Sequence, residues 1–210
     1  MRTTDALGEL QRLGRPVIET GEAVARLGVS PVRASQILRS LEEAGVVSRL
    51  KHGLWLLEPD IDPFVIPPYL TAPDPAYVSL WSALSAHGMI EQIPRQVFAC
   101  SLGRTKKVKT TRGSYVIHHL APEVFGGYTG SSESGYVATP EKALFDSVYL
   151  PLARRSQVFL PELELPQAFD NSELDRWAKR IRAPWLRSAV SRELERLLER
   201  RRPIGAITSE

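Results

Sequence analysis

The chain contains 210 residues, of which 43% are hydrophobic and 24% are charged, and its formal net charge is +3. This composition is typical of a soluble globular protein of one or two domains, and it excludes collagen-like and coiled-coil chains. The sequence lacks the run of about 18 apolar residues that a transmembrane helix needs and the apolar core of a secretory signal, and the single Cys100 excludes a disulfide knot or a zinc finger. We therefore expect a cytoplasmic protein with no membrane partner.

Residues 1–29 predict two helices. Gly14 is expected to end the first helix, and Thr20 is the expected N-cap of the second. The predicted inner faces consist of Leu7, Leu10 and Leu13 in the first helix and Val24, Ala25 and Leu27 in the second. A tight turn at Gly28 then predicts a helix-turn-helix.

The third helix has clear boundary signals. Ser30 suits its N-cap, Pro31 suits its first position, and Gly45 is expected to end it. Its predicted buried stripe consists of Ile37, Leu38 and Leu41. Two apolar runs, residues 46–50 and 54–57, then flank a basic tip and predict the β-hairpin of a winged helix-turn-helix.

This arrangement predicts binding to double-stranded operator DNA. The first turns of such a third helix reach base edges in the major groove, where arginine and glutamine can form paired hydrogen bonds with bases. The predicted contacts are Arg33, Ser35, Gln36 and Arg39 on the helix and Arg49, Lys51 and His52 on the wing. A winged helix that contacts only proteins is the alternative, because residues 1–58 carry eight bases against seven acids.

Six prolines lie between residues 59 and 75 and mark a boundary between two domains. Proline fixes φ and biases the preceding residue towards extended geometry, which disfavours a helix or a central strand. Apolar residues such as Phe64 and Tyr69 lie among these prolines, so we expect an extended connector that lies against one or both domains. The predicted domains are residues 1–58 and 76–210.

Residues 76–210 predict a mixed α/β domain that ends in helices, so the fold class of the whole chain is α+β. Helices are expected over residues 79–87, from Pro140 onwards, and over residues 172–181 and 185–202, with strands over residues 96–100 and 114–118. Residues 126–135 are rich in Gly and Ser. They are expected to form a flexible connection, since the Lys-Ser/Thr pair of a phosphate loop does not follow them.

Six basic residues and no acidic residue occur within residues 92–122. Small polar neighbours favour a hairpin or loop that contacts DNA phosphates, which adds salt-sensitive affinity. The predicted backbone contacts are Arg104, Lys106, Lys107 and Lys109. The alternatives are a contact with an acidic face of a protein partner, competition with that partner's nucleic acid, and a solvated loop.

Patterns for catalysis or metal binding are weak. Glu141, Lys142 and Asp146 share one helical neighbourhood, which permits acid–base or phosphotransfer chemistry, but a charged helix face with an i,i+4 relation is favoured. His118 and His119 point to opposite faces of a predicted strand and therefore do not chelate one ion together. We expect no catalytic residues, no metal and no cofactor, and we favour a protein that is not an enzyme.

Three segments resemble the AbiEi antitoxins of type IV toxin–antitoxin systems. Residues 82–94 contain Ser-Ala-Leu and His-Gly-Met-Ile-Glu-Gln-Ile-Pro, residues 118–126 read His-His-Leu-Ala-Pro-Glu-Val-Phe-Gly, and residues 138–150 begin Ala-Thr-Pro-Glu-Lys-Ala-Leu-Phe-Asp. Their order behind a winged helix carries the resemblance, which extends over about residues 5–150. Met89 departs from the family, in which a larger or branched apolar residue is expected.

The resemblance implies a protein with two tasks. Its winged helix binds its own promoter and represses the operon, and its C-terminal domain counters a nucleotidyltransferase-type toxin. The resemblance implies no catalytic residues. Two alternatives stay open: an antitoxin that modifies the toxin covalently, for example by a kinase-like phosphorylation, and a ligand-responsive winged-helix transcription regulator.

Overall fold

The computed structural model describes residues 3–199, with side chains from Asp5 onwards. The elements of residues 3–58, called the N-terminal unit below, are α1 (Thr3–Gln11), β1 (Val17–Glu19), α2 (Thr20–Leu27), α3 (Pro31–Glu43), β2 (Ser48–Lys51) and β3 (Leu54–Leu56). The three strands form an antiparallel sheet in the order β1-β3-β2. The three predicted helices and the hairpin are therefore present, and β1 is an addition to them.

Local sequence signals explain why α3 begins and packs as it does. The Ser30 hydroxyl accepts a hydrogen bond from the backbone N–H of Arg33 at 3.3 Å, and Pro31 occupies the first position. The predicted stripe of α3 is buried together with Ala34, in a core that α1, α2 and the sheet complete. Because this core holds one face of α3, the opposite face of the helix points towards solvent.

Two predictions for α2 are wrong. Glu19 rather than Thr20 is the N-cap, because Glu19 and Glu22 form a reciprocal capping box. The Thr20 hydroxyl instead accepts a hydrogen bond from the indole N–H of Trp55 at 2.9 Å. Ala25 is exposed, and Ala23 occupies the core instead.

The connector is helical, so the prediction of an extended segment is wrong. It contains a 3-10 helix over Pro63–Val65 and the short helix α4 (Pro67–Thr71). Both helices begin with proline, whose fixed φ suits the first turn and whose missing N–H is not needed there. The Asp62 carboxylate caps the 3-10 helix by accepting a hydrogen bond from the backbone N–H of Phe64 at 2.8 Å.

A second sheet follows the connector, and helices cover one of its faces. Its elements are β4 (Ala76–Val78), α5 (Leu80–Ala86), β5 (Val97–Ser101), β6 (Lys106–Thr110), β7 (Gly113–His119), β8 (Tyr128–Ser131), β9 (Gly135–Ala138), α6 (Pro140–Ala153), α7 (Asn171–Lys179) and α8 (Pro184–Glu199). The strand order is β6-β7-β5-β4-β9-β8, with β5 parallel to β7 and β4 parallel to β9. The chain is therefore α+β and ends in helices, as predicted.

The second sheet buries both of its faces. On one face, Phe98 and Cys100 of β5 pack against the helices α5 to α8. On the other face, Ala99 of β5 and Tyr115 and Ile117 of β7 share a core with apolar side chains of the connector and of the β2–β3 hairpin. The connector therefore packs between the N-terminal unit and the second sheet.

The predicted helices and strands of residues 76–199 are present, but the flexible connection over residues 126–135 is wrong. These residues form most of the β8–β9 hairpin. Gly130 and Gly135 lie so close together in it that a Cβ atom on Gly130 would be 1.9 Å from the carbonyl oxygen of Gly135. The predicted last turn of the final helix, residues 200–202, lies outside the described residues. Within residues 3–199, no helix is both long enough and apolar enough to cross a membrane.

Candidate nucleic-acid interface

The outer face of α3 carries the side chains that were predicted to read DNA bases. Arg33, Gln36 and Arg39 are exposed and Ser35 is half-buried. The Arg33 guanidinium donates a hydrogen bond to the side-chain oxygen of Gln36 at 3.3 Å, so these two groups lie side by side on the surface. Val32, at the start of the same face, is 69% exposed and adds an apolar surface of the kind that contacts the thymine methyl group.

The β2–β3 hairpin, which was predicted to be the wing and is called the wing below, contributes a second basic surface beside α3. One Arg49 guanidinium nitrogen lies 2.9 Å from His52 Nδ1, and the guanidinium carbon lies 5.7 Å from the centre of the Trp55 ring. The backbone N–H of Arg49 donates to the Glu42 carboxylate at 3.1 Å, which ties β2 to the last turn of α3. An irregularity in the β2–β3 register lies between Arg49 and the half-buried Lys51. Helix and wing are therefore held in a fixed relation.

The turn between β6 and β7 docks directly on the wing. Thr111 donates two hydrogen bonds to β2, from its backbone N–H to the Leu50 carbonyl at 3.1 Å and from its hydroxyl to the Arg49 carbonyl at 2.8 Å. Arg112 follows Thr111 in this turn. The second sheet thus places a further basic residue next to the wing, in continuity with the N-terminal unit.

The predicted basic block of residues 104–109 is divided between two faces of the second sheet. The Lys106 ammonium donates to the Leu70 carbonyl of α4 at 2.7 Å, and Val108 packs in the core shared with the connector. Because side chains alternate along a strand, Lys107 and Lys109 of β6 point to the opposite face. Arg104, which precedes β6, is exposed. These four residues therefore do not form one continuous surface.

A buried ion pair lies at the centre of the helix-covered face, where a charged helix face was expected. Lys142 and Asp146 of α6 form this pair, and neither side chain is exposed to solvent. Asp146 also accepts hydrogen bonds from the hydroxyls of Tyr77 at 3.0 Å and Ser79 at 2.7 Å. A solvated, charged helix face was expected here, and that expectation is wrong. The charged face of α6 lies inside the protein, because α6 packs between the sheet and helices α5, α7 and α8.

Aromatic rings close the ion pair off from solvent. The Lys142 ammonium lies 4.6 Å from the ring centre of Trp177 and 4.9 Å from that of Phe145. Gly127, with φ of +69°, permits this closure, because a Cβ atom there would lie 2.5 Å from the Trp177 ring. Both charges are therefore enclosed in the core, with the Trp177 ring packed against the ammonium group.

The pKa values of two further groups beside the ion pair are shifted by the same buried environment. Burial, followed by the charge of Asp146, raises the pKa of Tyr77 and of Cys100 well above their ordinary values. Glu141, the third acid of the predicted constellation, is also buried and accepts a hydrogen bond from the backbone N–H of Asp170 at 2.9 Å. Glu141 and Asp146 are thus hydrogen-bonded to neighbouring elements of the fold, whereas Lys142 pairs with Asp146 of its own helix.

No protein-family model and no curated protein matches this chain. The assignment to the AbiEi family therefore stays a prediction that rests on the three quoted segments.

Sequence reasoning missed several residues of these sites. Val32 could have been predicted, because the helical period places it one turn before Gln36 on the exposed face. Thr111 could not have been predicted, since its hydrogen bonds reach β2 across 62 residues of chain. Tyr77 lies 69 residues from Asp146, so its role as a hydrogen-bond donor also follows only from the fold.

Proposed function

We propose that the N-terminal unit binds double-stranded operator DNA through the outer face of α3 and the wing. The observation that carries this proposal is the position of the predicted base-reading side chains, which lie on the exposed face opposite the buried stripe. Arg33, Gln36 and Arg39 would contact base edges, and Arg49, Lys51 and His52 would contact the backbone. Arg112, on the docked β6–β7 turn, would extend the backbone contacts. Lys107 and Lys109 were also predicted to contact the DNA backbone, but in this proposal they would lie outside the footprint, because they are on the other face of β6.

We also propose that the chain is the antitoxin of a type IV toxin–antitoxin system in the cytoplasm, where it represses its own operon and counters a nucleotidyltransferase-type toxin. The three resembling segments support this half of the proposal, and they pack together. Leu84, Leu120 and Phe145, one from each segment, are buried in the same core. The His87 Nε2 atom also lies 2.7 Å from the Ala138 carbonyl oxygen and so links the first segment to the third.

Co-expression tests the antitoxin role. The full chain is expressed with the product of the neighbouring open reading frame, and growth is followed. The full chain is required because the connector shares its core with both sheets, so a fragment beginning near residue 71 would expose apolar surface. Restored growth is expected, and failure of a well-folded full chain to rescue a toxic neighbour would overturn the antitoxin role without affecting the DNA-binding role.

Neutralisation by contact and neutralisation by covalent modification differ in stoichiometry. Glu141, Lys142 and Asp146, the acid–base candidates of the sequence, are buried in the core, which favours contact. The intact mass of the toxin, measured after incubation with ATP, Mg²⁺ and a tenth of an equivalent of this chain and compared with the toxin incubated without the chain, separates the two modes. An unchanged mass is expected, and an added phosphate would show that the antitoxin is an enzyme.

A further inference from the structure

A cavity of about 300 Å³ opens on the helix-covered face of the second sheet, on the opposite face from the connector. Phe98 of β5 and His118 of β7 line it from the sheet, and Trp81 of α5 and Leu150 of α6 line it from the helices. Arg154 and Phe159, both exposed, stand on the segment that follows α6. The walls are largely apolar and aromatic, as in many sites for small molecules.

Backbone strain is concentrated at this cavity. Among residues 3–199, Leu80 and Arg155 are the two residues other than glycine with positive φ, each at +55°. Leu80 lines the cavity, and so do Arg154 and Ser156, the two neighbours of Arg155. A bulky residue in this conformation is disfavoured and persists only where its surroundings impose it, and such residues cluster at ligand sites.

A buried polar atom that lacks a partner belongs to a residue in the wall of this cavity. His118 Nδ1 is buried and has no hydrogen-bond partner within residues 3–199. Burial, followed by the charges of Arg154 and Lys107, lowers the pKa of His118 to about 4. The imidazole is therefore neutral near pH 7 and can donate one hydrogen bond, and the charges that act on it are both positive.

We propose that this cavity binds a small molecule composed of one aromatic ring and one anionic group. The ring would lie between Phe98, Trp81 and Leu150. The anionic group would contact the Arg154 guanidinium, which also donates a hydrogen bond to the Thr105 hydroxyl at 3.3 Å. An apolar cavity of about 150 Å³ is large enough for benzene, so twice that volume accommodates a ring with a short charged substituent. The guanidinium group suits both carboxylate and phosphate, which share this chemistry.

Isothermal titration of the full chain with phenylacetate, phenyl phosphate and the neutral phenylacetamide tests the proposal. We expect saturable binding of one equivalent of at least one anion, with Kd below about 1 mM, and at least about tenfold weaker binding of the amide. The anion that binds more tightly identifies the preferred group. Arg154 is exposed, so Arg154→Gln is expected to fold and to weaken anion binding by about tenfold while leaving amide binding unchanged.

Arg155→Gln is the matched control. It removes the same charge one residue away, but the Arg155 guanidinium carbon lies 5.8 Å from the centre of the Trp185 ring, and neither residue lines the cavity, so anion binding should be retained. The proposal is overturned if neither anion shows saturable binding. It is also overturned if the amide binds as well as the anions, or if Arg154→Gln and Arg155→Gln have equal effects.

Discussion

Replacing Lys142 with methionine retains a long unbranched side chain but removes the charge that faces Asp146. In the K142M variant, the Asp146 carboxylate would keep its hydrogen bonds from Tyr77 and Ser79 and lose its counter-charge. Because both members of the pair are fully buried, the cost follows the rule for a buried ion pair that loses one partner, about 3–5 kcal/mol. That is a large share of the total free energy of unfolding of a typical protein, about 5–15 kcal/mol.

Urea unfolding followed by circular dichroism measures this cost directly, and thermal unfolding followed by the same signal gives the change in Tm. A change of 1 kcal/mol shifts Tm by about 2–4 °C in a chain of this size, so Tm should fall by about 6–20 °C. Asp146→Asn alone should also destabilise the protein, because it leaves the Lys142 ammonium buried without its counter-charge. The double variant K142M/D146N should cost about 1–3 kcal/mol less than the sum of the single variants, since neither charge is then left unpaired.

Arg182→Met provides the control for removing a cation from the surface. Arg182 is 83% exposed and lies 3.5 Å from Glu123, so its loss should change the free energy of unfolding by less than about 1 kcal/mol. A K142M variant within about 1 kcal/mol of the wild type would refute the reasoning. Additive effects of the two core substitutions would refute it as well, because they would mean that the charges do not interact.

Three further predictions concern pH, packing and salt. Between pH 6.5 and 4, the unfolded chain binds a proton at His118 that the folded protein does not bind. The free energy of unfolding should therefore fall as the pH is lowered through this window. Urea midpoints measured across the window should fall less in H118Q than in the wild type. Gly127→Ala should destabilise by about 1–3 kcal/mol more than Gly88→Ala in urea unfolding, because both glycines have positive φ but only Gly127 faces a ring, and equal effects would contradict the packing argument. Arg112→Ala should reduce the slope of log K against log salt by about 1 in a DNA-binding titration, whereas Lys109→Ala should leave it unchanged, and the reverse result would relocate the footprint.

The sequence predicted α3 well because its signals are local. A cap at Ser30, a proline at position 31 and an apolar stripe act within the helix itself, and the structure retains all three. Local signals alone gave the wrong prediction for the connector, which is helical rather than extended. Proline disfavours helix interiors but favours first turns, and only the packing of residues 63–71 against two sheets determines which effect prevails.

Elements that depend on distant partners were missed. The strands β1 and β4 contain three residues each and are defined by pairing with β3 and with β5 and β9, which no local pattern reveals. The i,i+4 relation of Lys142 and Asp146 was predicted correctly, but their burial was not. The burial of this pair requires α5, α7 and α8 to cover α6. It also requires hydroxyl donors, from Tyr77 and Ser79, that lie about 70 residues earlier in the chain.

The central claim is that the outer face of α3 reads DNA sequence, and a fluorescence anisotropy titration tests it most directly. The full chain is titrated with a labelled duplex from upstream of its own coding sequence and with a scrambled duplex of equal length, at one stated salt concentration. Arg39→Ala should reduce the preference for the upstream duplex by about 1–3 kcal/mol, with little change for the scrambled one, and Arg182→Ala should bind like the wild type. A wild-type chain that does not distinguish the two duplexes, or an Arg39→Ala variant with undiminished discrimination, would contradict the account.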